Sequence, residues 1–125
     1  MGIDQLITFD TPDLTSMDQS FLKKVTECII QNISDIEFNV EILGDKMALS
    51  RRQLQRKLIG ITGHSPNMFM RSVRLNRAAE LLRNKTGNVT EIAYDVGFNN
   101  LSWFAKSFKE QFGILPSEYP LKKSK

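Results

Sequence analysis

Residues that build chemical centres are scarce in this chain. One cysteine, Cys28, and one histidine, His64, occur among 125 residues, so neither an internal disulfide nor a zinc constellation can be assembled from them. His64 has no neighbouring acid or second ligand in sequence, and there is no glycine-rich phosphate loop and no metal-spaced cluster. No enzyme and no cofactor is therefore expected. No apolar run approaches the roughly 18 residues of a membrane span, and no basic-then-apolar leader opens the sequence, so a soluble, cytoplasmic chain is expected. The length excludes a large multidomain enzyme and fits one ordinary domain or two very small ones. With 41% hydrophobic and 25% charged residues the composition is globular, which excludes wholesale disorder.

The net charge of +3 hides an uneven distribution. Residues 1–48 hold nine acids against three bases, and residues 49–125 hold fourteen bases against five acids, so the halves carry −6 and +9. The second half is a candidate for binding a polyanion, although solvated helix faces would give the same count.

Residues 1–17 show no sustained period and contain Pro12, which reads as a linker or extended arm. From Asp18 the apolar residues Phe21, Leu22, Val25, Cys28, Ile29 and Ile33 follow a helical stripe. Cys28 lies in that stripe and is expected to be a buried structural thiol. Asn39 is suited to cap a second helix ending near Met47, with Phe38 and Leu43 as a hydrophobic staple. Ser50 with Gln53 then opens a third helix that runs from Arg51 to about Ile61, with Gly63 as its stop. Ser65-Pro66 reads as the cap and first residue of a long helix reaching about Arg83. Asn88 with Glu91 is another capping box.

Beyond that point the sequence repeats itself. Val40, Leu43, Met47 and Leu49 correspond to Val89, Ile92, Val96 and Phe98 at an offset of 49. After one inserted residue, Ser50, Leu54, Leu58, Gly63 and Pro66 correspond to Asn100, Phe104, Phe108, Gly113 and Pro116 at an offset of 50. Each copy reads as a short helix, a sharp turn and a second helix. Gly97 offers the turn a permissive backbone, whereas the first copy must bend at Ala48. Gly44 and Ala93 are small residues at equivalent positions that let the two helices of each copy approach.

Stepping 100° per residue places Leu54, Leu58 and Ile61 on the core side of the third helix and Arg52, Gln55, Arg56 and Ile59 on the other. In the matching helix of the second copy, Leu101, Phe104, Ala105, Phe108 and Phe112 form the core face, and Trp103, Lys106 and Glu110 point away, with packing of Trp103 on a neighbouring helix as the alternative. An α-helix fits the DNA major groove, where Arg can read guanine and Gln can read adenine bidentately. Arg52, Gln55 and Arg56 are suitable chemistry for that, and two such helices could occupy successive major grooves.

The segments "LSRRQLQRKL", "TGHSPNMFMRSVRLNRAAELL" and "VTEIAYDVGFNNLSWFAKSFKEQFGILPSEY" closely resemble the DNA-binding domain of the arabinose-operon regulator (AraC/XylS) family, from about Asp18 to Tyr119. The resemblance implies an all-α fold of seven helices, with a first helix-turn-helix unit over about 18–64, a linking helix over 65–84 and a second unit over about 88–120. It places base contacts on Arg52, Gln55 and Arg56 in the first unit and on Ser102, Trp103 and Lys106 in the second. Ser50, Arg51, Asn99 and Asn100, at the starts of the two recognition helices, complete the expected DNA-binding set. Trp103 stands where the family often has a smaller polar residue, and Pro120 where it commonly has Arg. The opening residues, with "ITFDTPDLTSMDQSFL", look like the linker preceding this domain in bacterial hybrid two-component regulators, and 121–125 form a basic tail. A sequence-specific transcriptional regulator is thus expected. Its partner is double-stranded DNA with a bipartite site and RNA polymerase is a further one; no small-molecule ligand is expected in this domain, and the isolated domain should be monomeric. The alternative is a helical interaction module whose basic faces meet an acidic protein. The duplication favours DNA, because a protein interface does not require two matched presentations.

Overall fold

The structure, a computed structural model, describes residues 15–119. Six α-helices follow one another: α1 (Ser16–Gln31), α2 (Val40–Lys46), α3 (Arg51–Thr62), α4 (Pro66–Arg83), α5 (Val89–Asp95) and α6 (Leu101–Phe112). Most of the expected arm and all of the basic tail lie outside the described residues.

Each helix starts where a side chain can satisfy its free amides. The Thr15 hydroxyl accepts from the Asp18 amide at 3.1 Å, so α1 opens ahead of the expected Asp18. Asn39, Ser50, Asn88 and Asn100 cap α2, α3, α5 and α6 through bonds to the third residue of each helix. Helix α1 ends because Asn32 leaves the helical region and its side-chain amide donates to the Cys28 carbonyl at 2.8 Å. Ile33 therefore does not extend the α1 stripe, as its spacing suggested, but packs against the core containing α5 and α6.

The chain divides into two compact units. The first contains α1, α2, α3 and the opening of α4, over described residues 15–32 and 37–73. Its core gathers Leu22, Val25 and Ile29 from α1, Phe38, Val40 and Leu43 around α2, Leu54 and Leu58 from α3, and Phe69, Met70 and Val73 from α4. Cys28 is half-buried against this core, and burial pushes its thiol pKa upward, opposed by nearby Lys46. Desolvation thus favours the neutral thiol, consistent with a packing role. On α3, the Lys57 ammonium lies 4.7 Å from the centre of the Phe21 ring.

The second unit comprises, of the described residues, 33–36 and 74–119. Leu75, Ala78, Ala79 and Leu82 of α4 meet Ile92, Ala93, Val96, Phe98, Phe104 and Phe108. Where α3 uses Leu54 and Leu58, α6 uses Phe104 and Phe108, and the second core is accordingly aromatic. Phe104 and Phe108 are 5.8 Å apart between ring centres, and Tyr119 stands edge-on to Phe108 at 5.4 Å.

Two expectations about this unit need correction. Leu101 is 39% exposed rather than core, because it is the first residue of α6 and has no preceding helical turn to pack over. The described residues contain six helices rather than seven. After Gly113 the backbone makes a turn, with Glu118 and Tyr119 amides donating to the Leu115 and Pro116 carbonyls at 3.0 and 3.3 Å, and these do not amount to an α-helix within the described range.

Candidate nucleic-acid interface

The two helix-turn-helix units can be compared bond by bond. In the first turn the Leu49 amide donates to the Gly44 carbonyl at 2.8 Å; in the second the Phe98 amide donates to the Ala93 carbonyl at 2.9 Å. Ala48 and Gly97 both adopt positive φ, 59° and 95°. The helices that follow start with Leu54 to Ser50 and Phe104 to Asn100 bonds, each 2.9 Å, and end at left-handed Gly63 and Gly113. The offset of 49 before the turn and 50 after it thus recurs in the backbone, and Asn99 is the inserted residue. Gly44 is small for a reason specific to its turn: an added Cβ would stand 2.8 Å from the Leu49 carbonyl oxygen.

These turns present α3 and α6 outward. On α3, Arg51, Arg52, Gln55 and Arg56 are all exposed, and together with Ile59 and Gly60 they line one shallow surface. Three guanidiniums and an amide on two turns of helix form a donor-rich, cationic face. Ser50 is committed differently. Its hydroxyl accepts from the Gln53 amide at 3.1 Å, and the Gln53 side-chain oxygen accepts from the Ser50 amide at 2.9 Å. Ser50→Ala should destabilise the chain by about 1 kcal/mol, as loss of a cap does, measurable as a lower urea midpoint.

Just before α6, Asn99 and Asn100 are exposed, and on it Ser102, Trp103 and Lys106 are. The Asn100 side-chain oxygen accepts from the Trp103 amide at 2.8 Å, so Asn100, like Ser50, is a cap. Trp103 occupies the position held by Gln53 in α3. Indole cannot return the capping bond, and the side chain is 42% exposed. The face of α6 is less cationic than that of α3 and carries an accessible aromatic ring beside Lys106.

Three of the basic residues of α4 have partners within the protein. Arg74 is buried, donating to the carbonyls of Ile33 and Val96 at 2.7 and 2.8 Å. Burial pushes its guanidinium pKa downward, opposed by Asp35. Arg77 pairs with Glu80 at 2.6 Å, and Arg83 donates to the Tyr119 hydroxyl at 3.1 Å. Arg74 escaped notice because both acceptors are distant in sequence, and no local pattern distinguishes a buried arginine from a solvated one. The nearest signal was Gly97.

The family described as "Helix-turn-helix domain" matches residues 43–121. The chain is 34% identical over 106 residues to histidine kinase P4 of Formosa agariphila, covering 85% of this chain and 8% of that protein. It is 37% identical over 89 residues to the transcriptional activator RhaS of Mannheimia succiniciproducens, covering 71% of this chain and 33% of that one. It thus spans a third or less of the length of these curated relatives. In fold it is similar to an AraC-type transcriptional regulator from Chromobacterium violaceum, at a TM-score of 0.79 and 24% identity over 89% of this chain and 98% of that one. It is also similar to the DNA-binding domain of AdpA, solved in complex with a target DNA, at a TM-score of 0.71 and 27% identity over 81% of this chain and 90% of that one. With its two matched turns and its exposed helices, the chain belongs to the AraC-type helix-turn-helix family of DNA-binding transcription regulators.

Proposed function

We propose that the two units read a bipartite duplex site, with α3 and α6 entering successive major grooves about one helical repeat apart. The observation that carries this reading is the duplication itself: two turns with equivalent backbone bonds, each followed by a capped helix whose outer face is exposed. Arg52, Gln55 and Arg56 supply base readout from α3, with Arg51 and the start of the helix near the phosphates. Ser102, Trp103 and Lys106 act from α6, with Asn99 and Asn100 at its start. Trp103 contributes ring contact with bases or sugars rather than a bidentate hydrogen-bond pattern.

Arg52→Ala and Arg56→Ala should each weaken specific binding by roughly 1 to 3 kcal/mol and relax preference at one base position. Because both side chains are exposed, thermal stability should be nearly unchanged. Fluorescence anisotropy against the best duplex from a random pool tests this. Binding as tight as the parent's by either variant would overturn the assignment of α3.

We also propose that this domain is the output end of a longer sensor-regulator. The match to a small fraction of a protein named a histidine kinase supports that reading, as does the resemblance of the opening residues to a hybrid-regulator linker. On the competing reading, in which the basic faces dock an acidic protein, polyglutamate would displace the chain from its best duplex as effectively as the same duplex unlabelled does.

A further inference from the structure

We propose that Arg74 is a positioning residue for DNA recognition by the second unit, acting through the turn that launches α6. Its guanidinium Nη1 donates at once to the Val96 carbonyl, at the C-cap of α5, and to the Ile33 carbonyl. Val96 immediately precedes the turn residue Gly97, so the arginine ties down the point from which the backbone swings into the recognition helix. The last carbonyls of a helix lack internal partners and carry partial negative charge, which a cation there offsets. Helix α2 has Lys46 in its own last turn, but α5 has no basic residue in its last turn. The charge at the C-terminus of α5 comes instead from α4.

Gly97 provides an independent observation. Both turns bend through positive φ, at 59° for Ala48 and a less accessible 95° for Gly97. The two turns also differ in their neighbours. A Cβ on Gly97 would coincide with Arg74 Nη1 and press on the Ile33 carbonyl oxygen. Gly97 is the seat of the guanidinium, and Arg74 and Gly97 form one device. The device acts at the turn before α6 and sets the direction in which α6 leaves it, and small misplacements of a reading helix cost specific contacts before they cost the fold.

This inference rests on the reading of α6 as a DNA-reading helix, and the test separates the two. Duplexes bound by the chain are selected from a random pool, and the base preferences of both half-sites are compared for the parent, Arg74→Lys, Arg74→Met, Lys106→Ala and Trp103→Ala. Arg74→Lys keeps a cation at the site and replaces the planar guanidinium, whose Nη1 bridges both carbonyls, with a compact ammonium of shorter reach. It should retain the parent's helical circular dichroism and its preferences at the half-site read by α3, while losing base preference across the half-site read by α6 and at least tenfold in affinity for that half-site. Arg74→Met should lose more of both, measured below its melting temperature. Lys106→Ala should alter one or two base positions only. If Lys106→Ala changes the second half-site but Arg74→Lys retains the full parental preference there, Arg74 is a structural brace alone and the proposal is overturned. If Lys106→Ala and Trp103→Ala both leave every preference intact, the reading of α6 fails and the proposal fails with it.

Discussion

Phe108→Ala is expected to lower folding stability by about 3 to 5 kcal/mol, and its counterpart Leu58→Ala by about 2 to 5. Both side chains are fully buried. Phe108 faces three rings, with centres 5.8 Å away at Phe104, 4.5 Å at Phe112 and 5.4 Å at Tyr119. Each such pair adds about 0.5 to 1.5 kcal/mol beyond area burial, so the second unit should suffer the larger loss. A domain of this size has roughly 5 to 15 kcal/mol to lose. Urea melts should show a lower midpoint for both variants; native midpoints for both would contradict the matched cores of the two units.

Gly97→Ala should be comparably damaging, by about 3 to 5 kcal/mol, although it adds a single methyl group. A left-handed conformation costs a non-glycine residue about 1 to 3 kcal/mol. The methyl group would also displace Arg74 from its two carbonyls, and hydrogen bonds to a charged group contribute roughly 1.5 to 3 kcal/mol each. The reverse exchange in the first unit, Ala48→Gly, relieves the same backbone cost at an exposed position with φ 59°. It should be neutral or stabilising by up to about 1 kcal/mol. Thermal melts of the pair test the asymmetry directly. Equal and small effects at both sites would show that Gly97 is a turn residue only.

The parts of this fold that were legible in the sequence are those written locally. Caps at Ser50 and Asn88 are each specified with a residue three positions on, Asn39 sits inside the Phe38–Leu43 staple, Asn100 matches Ser50 in the repeat, and the structure forms a cap at all four. The stripes of α1, α3 and α6 could be read from spacing because one face of each helix is buried. The duplication could be read because two copies of the same turn need the same residue types. What escaped reading depends on partners far along the chain or on helix ends. Ile33 continues a helical spacing that Asn32 has already ended. Leu101 falls on the apolar side of a wheel but sits where the helix has barely begun. Ser107, also on α6, is buried although a hydroxyl gives no apolar signal. Arg74 enters the sequence reading only as one of the fourteen bases of residues 49–125, and its acceptors lie 41 and 22 residues away. At the interface the exposed face of α3 follows from its wheel, whereas the contribution of Trp103 depends on what approaches it.

The central claim, sequence-specific DNA binding through the exposed faces of α3 and α6, is tested most directly by titrating the chain onto its selected duplex and onto a scrambled duplex at salt concentrations from 50 to 200 mM. Log affinity for both duplexes should fall linearly with log salt, at a slope near −0.9 per neutralised phosphate. Across that range the selected duplex should stay on the order of a thousandfold or more tighter than the scrambled one. Equal affinity for the two duplexes, or a slope indistinguishable from zero, would contradict the account.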